Sequence, residues 1–173
     1  SLDTLAQGFA RQVRRVARAD ASAVRWSDES NQRYLMLASD CLPQQLVDAE
    51  QCLPAGGCFC GQRQGDAATR VIAIRSADPA KKPDQCERAG FETVIAVPVR
   101  LHERMVGELN LFYRSAATLN DEDRTLLETL ASHLAGAIES QRAGALEREA
   151  AVAEERGLLA RELHDSIAQG LSF

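Results

Sequence analysis

A chain of 173 residues, 45% hydrophobic and 26% charged, can bury one core and is too short for two large ones. Its formal net charge of -5 and sequence pI near 5.3 supply no basic surface to hold a phosphate backbone, which sets nucleic acid aside as a direct partner. Five cysteines cannot all pair within one chain, so a secreted disulfide framework fits poorly and reduced cytosolic thiols are the expectation. No apolar run approaches the roughly eighteen residues of a membrane helix, and residues 1–20 carry no cleavable leader. The chain opens without Met and closes inside a helical pattern. It therefore reads as a segment of a longer protein, with any membrane attachment upstream.

Leu2, Leu5, Phe9, Val13 and Val16 recur every three or four positions and predict a helix, with Arg11, Arg14, Arg15 and Arg18 on its other face. "ASAVRW" at 21–26 and "RYLMLAS" at 33–39 flank "SDESNQ", whose Ser, Asp and Asn favour turns, so a hairpin is expected. Between 40 and 69 the pattern dissolves into Gly, Pro, Gln and Cys. A loop this long is unusual in a compact domain and marks a candidate functional element. "TRVIAIRS" at 69–76 reads as a buried strand, followed by the loop "SADPAKKPD". "FETVIAVPVRLH" at 91–102 and "MVGELNLFYR" at 105–114 predict a second hairpin through His102, Glu103 and Arg104. Pro98 within it suits an edge or a bulge.

After "TLNDEDRTLL" the pattern is helical to the end, with Asn120 or Asp121 as N-cap and acidic residues in the first turn. From 120 to 173 such a helix would span roughly 80 Å at ~1.5 Å per residue, too long to pack on its own small domain. Leu127, Leu134, Ile138, Ala145, Val152 and Leu159 form a heptad-like seam that Gln141, Arg148 and Glu155 interrupt. The phase then shifts to Leu159, Leu163, Ile167 and Leu171. This predicts a stuttered coiled coil joining two modules and pairing two copies of the chain. A solvated single helix is the alternative, at the cost of many uncovered apolar positions.

Ala160 joins that last apolar face, and His164 sits at its flank, while Asp165 and Gln169, four residues apart, share the outer side. A histidine that attacks ATP needs a neutral ring with an exposed nitrogen and a neighbour that takes or orients the other proton, and Asp165 is placed to be that neighbour. A lone His-Asp pair would be read as a solvated chance pairing. The whole string says more. "ER" at 155–156 and "ARELHDSIAQGL" at 160–171 resemble the phosphoacceptor box of bacterial sensor histidine kinases of the HisKA_3 class, especially the nitrate/nitrite sensors of the NarX/NarQ type. The resemblance implies that His164 is the autophosphorylated residue and Asp165 the activating acid. It also implies that Gln169 orients the water that dephosphorylates a response regulator, a positioning role that needs an amide and no proton transfer. No nucleotide-binding box follows Gln169, so this segment is expected to be inactive alone, with ATP bound by another domain of the full-length kinase.

Helix, hairpin, long loop, further strands and exit helix predict an α+β fold, an antiparallel sheet flanked by helices. With the ending "VIAVPVRLHERMVGELNLFYR…LNDEDRTLLETLASHLAGAIE", that order resembles a GAF domain over roughly residues 1–140. Such domains often bind small molecules between sheet and loop. Trp26, Tyr34, Phe59 and Phe91 could line a pocket, although each also suits a core or loop anchor. Cys41, Cys52, Cys58 and Cys60 are spaced C-x10-C-x5-C-x-C, with Cys86 apart. Four thiolates could hold zinc or an iron-sulfur cluster, but the usual x2 spacing is absent. A thiol redox switch and plain structural thiols therefore stay open. The loop also resembles the cysteine cluster of the nitrate/nitrite sensors. His102 and His133 read as a turn residue and a helix-face residue.

The expected organisation is a GAF-like sensory or relay domain at 1–119, an exit helix and coiled-coil linker at 120–154, and the start of the phosphoacceptor helix at 155–173, followed on the chain by no more of that module. The expected function is the cytoplasmic signalling segment of an inner-membrane sensor histidine kinase, with a homodimer through the long helix and a response regulator as partners. The alternatives are a stand-alone ligand- or redox-binding GAF module and a thiol-dependent GAF reductase.

Overall fold

A computed structural model of the chain describes residues 1–27, 33–54, 68–74, 80 and 85–171. The described elements are α1 (Leu2–Val16), β1 (Ala21–Ser27), β2 (Arg33–Asp40), α2 (Gln44–Ala49), β3 (Cys52–Pro54), β4 (Arg70–Ala73), α3 (Gln85–Arg88), β5 (Thr93–Leu101), β6 (Arg104–Tyr113) and α4 (Asp121–Gly170). The strands form a six-stranded sheet in the order β3-β2-β1-β6-β5-β4, antiparallel at every pairing. This is the expected α+β architecture. The chain divides into two compact units, Ser1–Ala137 and Ile138–Phe173. Among the described residues, no helix is long and apolar enough to cross a membrane.

Central β1 and β6 pair from Ala21↔Phe112 to Trp26↔Gly107, and strand alternation divides their side chains between two faces. Ser22, Val24 and Trp26 share a face with Leu109 and Leu111. There Ser22 Oγ donates to the Ala10 carbonyl of α1 at 2.7 Å. Buried Ala6 and Ala10 have side chains small enough to let α1 lie close to the strands. The opposite, inner face carries Ala21, Ala23 and Arg25 of β1 beside Phe112, Asn110 and Glu108 of β6.

Both expected hairpins form. The turn residues 28–32 of the first lie outside the described residues. In the second, Leu101 pairs with Arg104, leaving His102 and Glu103 at φ 50 and 64. Positive φ at both central positions is the primed-turn geometry that matches strand twist, adopted here without the usual Asn or Gly. Pro98 faces Glu108 of β6, and the β4 pairing reaches only Ala96. Its missing N–H therefore removes no bond from the β4 ladder, and an irregularity follows at Val99/Arg100.

Three sequence expectations need correction. The segment between 40 and 69 is not uniformly loop, because α2 and β3 lie within it. One buried residue, Leu46, anchors the six-residue helix, which is too short to display a helical period. The strand expected at 69–76 is the short edge strand β4, half-buried and exposed in alternation rather than buried. Leu127 and Leu134, assigned to the interhelical seam, are core residues of the globular unit together with Ala131 and Ala135. Their spacing is the stripe a helix presents to its own sheet. Asn120 does cap α4, its Oδ1 accepting from the Asp123 amide at 2.7 Å.

Candidate functional site

On the inner face, one half of the sheet is apolar and the other half is charged. Ala21, Ala23, Leu46, Ile74, Cys86, Phe91, Val94 and Phe112 form one buried cluster, with the Phe91 and Phe112 rings 5.2 Å apart at 47°. Beside it Arg25, Glu50, Glu108 and Asn110 are buried. Arg25 Nη2 meets Glu50 Oε2 at 2.6 Å, with each side chain only 3% exposed. Arg25 Nη1 donates to the Glu50 carbonyl at 3.1 Å and Nε to Asn110 Oδ1 at 2.8 Å. Asn110 Nδ2 donates to Glu108 Oε1 at 2.8 Å, and Arg70 lies 3.5 Å from Glu108 Oε2. Two guanidinium and two carboxylate groups balance, which is what allows charge to be buried here at all. Removing one partner of the Arg25–Glu50 pair would strand the other, at a cost of about 3–5 kcal/mol.

Sequence reading missed this network. Arg25 stands in an apolar strand run, "ASAVRWS", and a single charge there was the available signal. Its partners come from elements 25 to 85 residues away, which no local pattern connects.

Of the suggested pocket aromatics, Tyr34 and Phe91 are buried. Trp26 lies on the opposite face from Arg25 by alternation, and its ring comes within 3.1 Å of where a Cβ on Gly107 would stand. It is core, as its other reading held. Phe59 lies outside the described residues. His102 is a turn residue, and His133 is exposed on α4.

Cys41 and Cys52 are exposed free thiols, and Cys86 is buried. Cys58 and Cys60 lie outside the described residues, so the four-cysteine set is not described as a group. Among the described residues, no three His, Cys, Asp or Glu side chains gather in a way that could hold a metal ion. Cys86, which stood apart in the sequence, places its Sγ 3.9 Å from Glu50 Oε1, against the buried network.

A cavity of about 480 Å³ lies on the globular unit where α1 ends and α4 begins, lined by Val16, Ile95, Tyr113, Asp123, Leu126 and Leu127 among others. The Tyr113 hydroxyl donates to the Ala17 carbonyl at 2.8 Å. Burial, reinforced by Asp123 and Asp20, pushes that hydroxyl up to about 12.

In the second unit, α4 carries His164, Asp165 and Gln169, all exposed. Asp165 and Gln169 stand one helical turn apart, so they share a face, while His164 is turned ~100° from Asp165. Leu159, Leu163 and Ile167 are more than half exposed, at 52%, 65% and 60%, an apolar stripe running beside His164.

The GAF domain family matches residues 1–139. The chain is 27% identical over 148 residues to the sensor histidine kinase YhcY of Bacillus subtilis (strain 168), covering 83% of this chain and 39% of that protein. It thus spans about two-fifths of the length of this curated relative. Among solved structures, the GAF domain of a phosphoenolpyruvate-protein phosphotransferase from Coxiella burnetii superposes with a TM-score of 0.68 at 20% identity, covering 84% of this chain and 87% of that one. A domain ascribed to a two-component sensor histidine kinase of Sinorhizobium meliloti 1021 gives 0.66 at 15% identity, with coverages of 86% and 97%. At these identities the structural likeness concerns the fold.

Proposed function

The chain belongs to the GAF domain family, and from that premise we propose that it is the signalling segment of a two-component sensor histidine kinase that relays input to phosphoacceptor His164. The observation that carries this reading is the string "ARELHDSIAQGL" at 160–171, helical through Gly170 and exposed along its length. Exposure is what an acceptor histidine requires, since a catalytic domain and then a response regulator must each reach it. Similarity to a sensor histidine kinase over 83% of the chain supports the same parent.

His164 takes the phosphoryl group on a ring nitrogen, Asp165 orients or accepts the other ring proton, and Gln169 positions water for the phosphatase reaction. ATP is the phosphoryl donor, bound by another domain of the full-length kinase. The uncovered stripe Leu159, Leu163, Ile167 and Leu171 fits a second copy of the helix, and a homodimer is part of the proposal. The likeness of the terminal segment to the NarX/NarQ type extends the reading to nitrate or nitrite as the stimulus, sensed elsewhere in an inner-membrane parent with this segment on the cytoplasmic side.

The test uses the full-length protein with labelled ATP. His164→Gln should abolish label incorporation. Gln169→Ala should retain it while slowing dephosphorylation of the response regulator by at least tenfold. Undiminished labelling in His164→Gln would discard the phosphoacceptor reading and leave a ligand-binding GAF module in its place.

A further inference from the structure

The buried network of the inner face does not end on that face. Glu108, at its far end, pairs with Arg70 of β4 at 3.5 Å. The preceding residue, Thr69, is buried, and adjacent residues of an extended segment point to opposite faces. Thr69 Oγ1 donates to Glu128 Oε1 at 2.6 Å, and the Thr69 carbonyl accepts from Arg124 Nη1 at 2.7 Å. Both partners stand on the first turns of α4, within the globular unit. At the other end, Glu50 closes α2 and leads directly into Gln51, whose carbonyl accepts from the Met36 amide at 3.0 Å, and Cys52 of β3.

Glu50, Arg25, Asn110, Glu108, Arg70 and Thr69 thus form one chain of polar and covalent links. It runs from the cysteine-bearing α2–β3 segment, through both central strands, to the root of α4. Every charged group along the buried stretch has its counter-charge inside the network, so displacing Glu50 unbalances Arg25 and cannot be absorbed by water. Nothing comparable is required to hold β4 at the sheet edge, where the β5 ladder already does so.

We propose that this chain couples the α2–β3 segment to the base of the long helix, so that release of Glu50 from Arg25 loosens the anchoring of α4 at Thr69. Its signalling meaning rests on the reading of α4 as an output helix. The coupling itself is a property of the globular unit and is measured without any phosphoryl transfer, so either idea can fail alone. Coupling between the two ends is measured by a double-mutant cycle.

Cys86 supplies a reporter at one end, being buried against Glu50. The protein would carry Cys41, Cys52, Cys58 and Cys60 as serines, leaving Cys86 as the thiol to be modified. Its reaction rate with a chromogenic disulfide reports the α2 end, and amide hydrogen exchange over residues 124–131 reports the α4 root. Glu50→Gln should raise the Cys86 rate at least tenfold and quicken exchange at the α4 root. Thr69→Val should quicken the root alone, and adding Glu50→Gln to it should bring little further change there. Arg70→Gln, at a side chain 21% exposed, should leave Cys86 within about twofold of its original rate while loosening the root. An α4 root unchanged in Glu50→Gln or Arg70→Gln would overturn the proposal. So would fully additive effects of Glu50→Gln and Thr69→Val, or equal quickening of every segment including β1, which marks global loosening.

Discussion

Tyr113 is a side chain through which alkaline pH lowers the stability of this domain. Its hydroxyl titrates near 10 in the unfolded chain and at about 12 in the folded one. Below pH 10 both states keep the proton and its contribution to stability is whole. Between roughly pH 10 and 12 the unfolded chain ionises first, so stability falls, and above 12 the loss is complete. Water reaches part of the ring and screens the effect, so the fall should be about 1 kcal/mol. Tyr113→Phe should cost about 1 kcal/mol at neutral pH through the lost bond to Ala17. It should also flatten the alkaline decline, which urea titrations at pH 8, 10 and 11.5 would show. None of this was legible in the sequence, where Tyr113 is one more aromatic in a strand. The same holds for Arg25 and Glu50, whose meaning comes from a partner in another element. The proposed roles of His164, Asp165 and Gln169 could be formed from sequence because that reading depends on neighbours within one helix, and the structure shows the three exposed on α4.

At the scale of elements, the readable parts were those with a long, consistent period. α1, the two hairpins and α4 emerge from spacing alone, and the Asn120 cap follows from residue type. Pro98 also declared its setting beyond the reach of β4. The short elements α2, β3 and α3 were hidden because three to six residues cannot show a period, and they are held by contacts distant in sequence. The heptad reading of α4 failed at Leu127 and Leu134 for the opposite reason: one stripe serves the sheet first, and with Ile138 also buried only later positions are left for a partner. Association should therefore depend on the distal stripe. Leu159→Glu with Ile167→Glu should shift a dimer to monomer at tens of micromolar in sedimentation, while the thermal transition of the globular unit moves by no more than a degree or two. A wild-type chain that sediments as a monomer would refute the pairing.

For the molecule as a whole, the sheet is both the scaffold and the place where the two halves of the inner face meet, and β1 and β6 approach closely at Gly107. Opposite Trp26 in β1 and Val99 in β5, this glycine leaves so little room that a Cβ would stand 2.3 Å from the Arg25 carbonyl oxygen. Backbone cannot swing aside as a side-chain tip can, so Gly107→Ala must part β1 from β6 and should destabilise the globular unit by about 1–3 kcal/mol in urea unfolding. Position 107 carries no charge, touches none of the buried ion pairs with a side chain, and lies on the face away from them. A single added methyl there acts as a wedge driven from behind: it tilts the strand that holds Arg25 while every chemical partner stays in place. The central strands are thus dimensioned to the width of one carbon atom, and a sequence that keeps the Arg25 side intact can still lose it by gaining mass on the reverse.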